Sequence, residues 1–106
     1  MPDFMKILQQ AQEMQGRFQK IQDELQQLTV TGSAGGGMVI ADVTGTGQLK
    51  KIKLDPSVVN PGDIEMLEDL VTVAISDAQQ KAQQVAQEQM GKLTGGLNLP
   101  FKLPFG

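Results

Sequence analysis

Apolar residues recur at alternating spacings of three and four along the first part of the chain. They are Phe4, Ile7, Ala11, Met14, Phe18, Ile21, Leu25 and Leu28. A 3.5-residue period sustained over about three and a half heptads predicts a helix that packs lengthwise against another helix. At roughly 1.5 Å per residue this helix would be nearly 40 Å long, so we expect part of it to project from a domain this small.

Between residues 28 and 54 the pattern changes to short runs that alternate and are rich in β-branched residues. It predicts strands at residues 28–31, 38–44 and 48–54. The glycine-rich segment Gly32–Gly37 is expected to break the chain between the first two strands, and Gly45–Gly47 to form the next turn. Asp55-Pro56 ends the third strand, because proline has no N–H to donate. The simplest arrangement is a three-stranded antiparallel meander.

A second long helix is predicted after the turn at residues 60–63, which supplies its N-cap. Acidic residues follow in its first turns, where the helix dipole favours them. Its apolar residues recur at helical spacing and become smaller towards the C-terminus, so another element can approach closely. The segment Gly91–Gly96 is expected to end this helix. The residues of both helices assigned to a dimer or core seam are Phe4, Ile7, Met14, Phe18, Ile21, Leu25, Leu67, Val71, Ala74 and Ala78.

The predicted order of helix, three strands and helix gives an α+β fold in two layers. Residues 1–94 are expected to form a single domain. Residues 95–106 contain two prolines and alternating apolar residues, and we interpret them as a tail that is extended and mobile or docked on a partner. A long helix at each end would leave apolar stripes exposed, so a second copy of the chain is the natural way to cover them.

The chain contains no Cys, His, Trp or Tyr. Their absence removes the thiol nucleophile, the imidazole base and the soft metal ligands, so the sequence argues against an enzyme and predicts neither a cofactor nor a metal site. The acidic start Met1-Pro2-Asp3 is unlike a signal peptide, and the lack of Cys fits a reducing cytosol. The most apolar stretch, residues 70–75, is far shorter than the roughly 20 residues that span a bilayer.

Two motifs can be interpreted either as a ligand-binding site or as an ordinary structural feature. The glycine-rich segment could cradle a phosphate, but it lacks the Gly-Lys-Ser/Thr ending and connects two strands, which favours a flexible connection. Glu65, Glu68, Asp69 and Asp77 could be drawn as a metal site, but they match an ordinary solvated helix start.

The net charge of −3 has the wrong sign for a protein held to nucleic acid by bulk charge, so any such binding must use local patches. Lys6, Arg17 and Lys20 share one flank of the first helix, interleaved with acids. Lys51 and Lys53 should lie on the sheet face opposite Ile52 and Leu54. For the helix set the pattern favours a solvated, salt-bridged surface over a phosphate contact. The strand lysines fit protection of a sheet edge as well as a phosphate contact.

Several blocks of the chain, in order, resemble the YbaB/EbfC family of bacterial nucleoid-associated proteins. They are Val30–Val39, Ile52–Ser57, Glu65–Val71 and the tail Leu99–Phe105. The resemblance covers essentially the whole chain. It implies an α-β-β-β-α fold, a tweezer-shaped homodimer, and binding of double-stranded DNA in the bacterial nucleoid, hence a cytoplasmic location, with no membrane and no small-molecule substrate.

The resemblance also implies that helix residues contact the DNA. The candidates are Lys6, Arg17 and Lys20 in the first helix and Lys81 and Lys92 in the second, and Lys51 and Lys53 on the third strand are added from the charge pattern. Contact with little sequence specificity is expected, because no recognition-helix motif stands out. The alternative is a dimeric adaptor that binds another protein through the helix seam or the C-terminal tail.

Overall fold

The computed structural model describes residues 4–95 and confirms the predicted α+β order. Helix α1 spans Phe4–Gln27 and helix α2 spans Ile64–Gly95. Between them lie three strands, β1 (Thr29–Ala34), β2 (Val39–Thr44) and β3 (Leu49–Leu54), followed by a short 3-10 helix at Pro56–Val58. Gly95 belongs to α2, and the rest of the predicted tail, residues 96–106, lies outside the described residues.

The three strands form the predicted antiparallel meander in the order β1-β2-β3. Val39 on the central strand is opposite Ala34 on β1 and Leu54 on β3. The alternate residues Val39, Ala41 and Val43 are fully buried and belong to one apolar cluster with Ala74 and Ala78 of α2. Helix α2 therefore covers one face of the sheet and leaves the other face open.

The glycine-rich segment does not break the chain where the sequence predicts. Gly32, Ser33 and Ala34 belong to β1, and only the residues from Gly35 onwards form the turn. A Cβ atom on Gly32 would lie 2.2 Å from the backbone nitrogen of Ala78 and 2.6 Å from the carbonyl oxygen of Ala74. Gly32 therefore lets a helix backbone lie directly against a strand backbone, instead of loosening the chain.

Both ends of α2 agree with the sequence. The side chain of Asp63 accepts a hydrogen bond from the Met66 N–H at 3.1 Å, which confirms the predicted N-cap. The helix continues through Gly91 and ends at Gly95, inside the range where its end is expected.

Helix α1 is anchored mainly at its C-terminal end. Leu25 is the one α1 side chain among the described residues that is fully buried, and the Gly45 N–H donates a hydrogen bond to its carbonyl oxygen at 2.8 Å. Most of the helix before it is exposed, including Phe4 at 70% and Ile7 at 59%. The predicted projection is confirmed, and the principal extents of 75, 28 and 16 Å describe an elongated molecule.

Candidate nucleic-acid interface

The acidic residues that make the chain negative are concentrated in one segment. Residues 55–80 contain six Asp and Glu residues and no Lys or Arg, whereas the rest of the chain contains six acids and nine bases. Five of these acids precede residue 70 and lie in or near the loop and first turns of α2, at the end of the sheet away from α1. Outside residues 55–80 the chain is therefore net basic: β3 carries three lysines and no acid, whereas α1 has three bases and three acids.

Lys6, Arg17 and Lys20 are exposed on α1, and none of them forms an ion pair within residues 4–95. At 100° per residue their positions fall within about 60° of one another around the helix. Lys6 and Lys20 are about 21 Å apart along the axis, which matches about six base-pair steps of duplex DNA at 3.4 Å each. The projecting helix thus presents three basic residues on one flank, interleaved with Glu13 and Glu24, over a length that suits a nucleic-acid backbone.

The two candidate lysines of α2 differ in their surroundings. Lys81 forms an ion pair with Asp77 at 3.1 Å, so its charge is already compensated. Asp77 also accepts a hydrogen bond from the Ser33 N–H at the free edge of β1, at 3.0 Å. The hydrogen bond from Ser33 and then that from Lys81 lower the pKa of Asp77, so the carboxylate stays ionised. Lys92 is exposed near the end of α2.

The open sheet face forms a second basic surface. Lys51 and Lys53 of β3 are exposed, and Lys51 is opposite Asp42, which accepts a hydrogen bond from Thr31 at 2.8 Å. Lys50, which sequence reasoning missed as a candidate, donates a hydrogen bond to the hydroxyl of Thr29 at 2.7 Å, across β2. The strand alternation is interrupted by an irregularity between Asp42 and Val43, so the pattern alone could not place Lys50.

The described residues offer little for catalysis. Residues 4–95 contain no group of three His, Cys, Asp or Glu side chains that could hold a metal ion. A cavity of about 460 Å³ lies between α1, α2 and the β2–β3 turn, but its lining contains no ionisable side chain. No helix in this part of the chain is long and apolar enough to cross a membrane.

The seam residues separate into two groups by burial. Ala74 and Ala78 of α2 are buried in the core, and Leu67 and Val71 are half-buried beside it. On α1 the burial differs along the seam: Leu25 is buried, Met14 and Ile21 are half-buried, and Phe4, Ile7 and Phe18 are exposed. The α2 part of the seam therefore belongs to the core of one chain, while half of the α1 part is exposed and has no cover within the described residues.

Comparisons with known proteins agree on one protein family. The YbaB/EbfC DNA-binding family matches residues 1–97. A nucleoid-associated protein of Gemmatimonas aurantiaca is 59% identical over 103 residues, which cover 97% of this chain and 99% of the relative. A nucleoid-associated protein of Rhodococcus erythropolis is 52% identical and covers 91% of this chain and 86% of its own length.

A solved structure is similar in fold. The crystal structure of an uncharacterized protein from Helicobacter pylori matches with a TM-score of 0.69 and 21% sequence identity, and the match covers 93% of this chain and 100% of that one. At this identity the likeness supports the α-β-β-β-α fold alone.

Proposed function

The chain belongs to the YbaB/EbfC DNA-binding family, and we propose that it binds duplex DNA in the nucleoid as a homodimer, with little sequence specificity. Through this binding it affects the organisation of the nucleoid and the expression of genes. The observation that carries the proposal is the set of exposed basic residues on one flank of the projecting helix α1, Lys6, Arg17 and Lys20, none of which forms an ion pair within residues 4–95. Contacts of such side chains with phosphate oxygens carry no sequence information.

The distribution of charge supports DNA binding despite the net charge of −3. Electrostatic attraction to DNA decreases within about 10 Å at 0.1 M salt, so charges far from the contact are largely screened. The acids at the start of α2 lie at the opposite end of the sheet from α1. These acids reduce the attraction at long range. They do not prevent local contact of phosphates with the projecting helix α1, residues 4–27, which we call the arm. Lys92 extends this contact, whereas Lys81 must first leave Asp77.

The exposed apolar face of α1 supports a homodimer. Phe4, Ile7 and Phe18 repeat at heptad spacing and are each about half exposed or more. A helix with such a seam is stabilised when a second helix covers it. In this proposal the α1 helices of two chains cover one another in part and present their basic flanks together to the DNA.

The homodimer predicts a clear effect of charge on this seam. A double change of Ile7→Glu and Phe18→Glu should halve the mass measured by sedimentation equilibrium at micromolar concentration, because it would bury charges without partners in the interface. Both residues are exposed in the single chain, so its fold should persist. The control is Gln12→Glu with Gln15→Glu, which adds the same charge to exposed positions off the seam. A wild-type mass of one chain would contradict the homodimer.

DNA binding is tested by fluorescence anisotropy with a labelled duplex from about 20 to 200 mM salt. We expect a steep loss of affinity with salt. The triple variant Lys6→Gln, Arg17→Gln and Lys20→Gln should bind about tenfold more weakly or worse, and its log–log salt slope should be shallower by up to about five, because a dimer would lose six phosphate contacts.

The matched control removes the same number of charges from the sheet, through Lys50→Gln, Lys51→Gln and Lys53→Gln. A smaller loss in this control than in the α1 variant would support contact through the arm. Equal losses would show that the total charge governs binding and would contradict the arm as the contact site. If the wild-type protein does not bind even at the lowest salt, the proposed function fails.

The second candidate function is a dimeric adaptor that binds another protein. The same exposed apolar residues of α1 favour it, since a seam that attracts a second copy can also attract a different helix. It predicts that the α1 charge variant has no effect on the protein's activity in the cell, whereas removal of residues 95–106 does.

A further inference from the structure

A shallow apolar groove lies beside the N-terminal turns of α2, at the end of the molecule away from α1. It has a volume of about 370 Å³, and its apolar lining includes Met66, Leu70 and Val73, which lie at helical spacing next to the turn at Gly35. Met66 is 40% exposed and Val73 is 55% exposed. No described residue of the chain covers this surface.

The groove is bordered by negative charge. Asp63, Glu65 and Asp69 contribute to its lining. The carboxylate of Asp63 is partly used by the N-cap hydrogen bond to Met66, whereas Glu65 and Asp69 are exposed and have no ion pair within residues 4–95. An occupant that fits this surface must supply apolar side chains together with positive charge.

The last residues of the same chain have this composition. Residues 97–105 read Leu-Asn-Leu-Pro-Phe-Lys-Leu-Pro-Phe, in which every second residue from Leu97 is apolar and Lys102 is the one charged residue. Two prolines restrict the backbone to extended conformations, which reduces the entropy lost when such a segment binds a groove. The segment therefore offers an apolar edge and one cation.

The lengths of the two segments keep Phe101, Lys102 and Leu103 from reaching the groove within one chain. Val73 precedes Gly95 by 22 residues of helix, or about 33 Å. Phe101 and Lys102 follow Gly95 by six and seven residues, which span at most about 25 Å when fully extended. Even a tail folded straight back along α2 would place these two side chains short of the groove, whose other residues are farther still.

We propose that residues 97–105 of one copy of this chain bind the groove of Met66, Leu70 and Val73 on another copy. In this contact Phe101 and Leu103 cover the apolar lining, and Lys102 pairs with Glu65 or Asp69. Because the tail and the groove are different surfaces, the contact is heterologous. Two copies that exchange tails form a closed pair, and copies that do not exchange them form an open chain of molecules. The contact is independent of the basic arm, so it can hold together molecules that are bound to DNA.

The natural absence of cysteine makes the proposal directly testable in the full chain. Two single variants, Val73→Cys and Leu103→Cys, are purified separately with tags of different size, mixed at micromolar concentration and oxidised mildly. We expect a disulfide-linked pair of the two tags, which forms at least about tenfold faster than in a mixture of Leu103→Cys with Val59→Cys. Val59 is a matched control because it is 50% exposed and lies outside the groove.

The charge contact has its own test in the same assay. Lys102→Glu should slow the cross-link by roughly two- to fivefold, as expected for an exposed ion pair, and Asp69→Lys on the groove chain should restore it. Equal rates at positions 73 and 59 would overturn the proposal. Faster linkage between two Val73→Cys chains than between Val73→Cys and Leu103→Cys would also overturn it, because the groove would then be covered by a second groove.

Discussion

Replacing Gly32 with alanine should destabilise the fold by roughly 3 kcal/mol or more, at the upper end of what overpacking costs. The new methyl group would lie 2.2 Å from the Ala78 nitrogen and 2.6 Å from the Ala74 oxygen, and both atoms belong to the backbone of α2. No side-chain rotation can relieve this overlap. Helix α2 would have to move away from β1, which would open the core around Val39 and Ala41.

Thermal and urea unfolding followed by circular dichroism measure this loss. Gly16→Ala is the matched control, because no atom lies within 4 Å of its new methyl group and alanine favours an exposed helix by about 1 kcal/mol. The same change from glycine to alanine should therefore raise the stability at position 16 and lower it at position 32. Similar stabilities of the two variants would show that α2 does not lie against β1 at Gly32.

Replacing Gly45 with alanine should detach α1 while leaving the sheet and α2 in place. Its methyl group would lie 2.7 Å from the Leu25 carbonyl oxygen and 2.9 Å from a methyl carbon of the same residue. The variant would also lose the 2.8 Å hydrogen bond from Gly45 to Leu25. Because Leu25 is the buried residue that holds the helix to the sheet, we expect the free energy of local opening of α1 to decrease by about 2 kcal/mol.

Hydrogen exchange by mass spectrometry distinguishes this local effect from global unfolding. Amides in the last turns of α1 should exchange roughly thirtyfold faster, while those of α2 around Ala74 remain protected. Gly16→Ala serves as the control here as well, since it should slow exchange in α1. Equal loss of protection in α1 and α2 would contradict the idea that Gly45 acts only on the arm.

Much of this fold could be predicted because local patterns agree with the final structure. The heptad spacing from Phe4 to Leu25 indicates one long helix, and the strand alternation around Val39 reflects the face that packs against α2. The role of Gly32 could not be predicted in the same way. A glycine that permits close approach and a glycine that permits a turn look alike in a sequence, and only the partner element, 42 or more residues away, distinguishes them.

The candidate site was predictable to a smaller extent. Residue spacing placed Lys6, Arg17 and Lys20 on one flank of a helix, and the structure finds them exposed there. The ion pair of Lys81 with Asp77 is an i, i+4 pair that spacing alone indicates. Spacing could not show that Asp77 also accepts a hydrogen bond from the edge of β1, because that contact depends on how α2 crosses the sheet. Nor could it place Lys50, whose direction follows from the irregular pairing next to Val43.

The attachment of α1 at one end makes this helix a lever. Phe4 is 21 residues from the fixed point at Leu25, or about 32 Å along the axis. A rotation of about 10° at Leu25 would therefore move the tip by about 5 Å, roughly one helical turn, without disturbing the sheet. In the proposed homodimer, two such levers would adjust the distance between their tips, so the same protein would bind straight and bent duplexes.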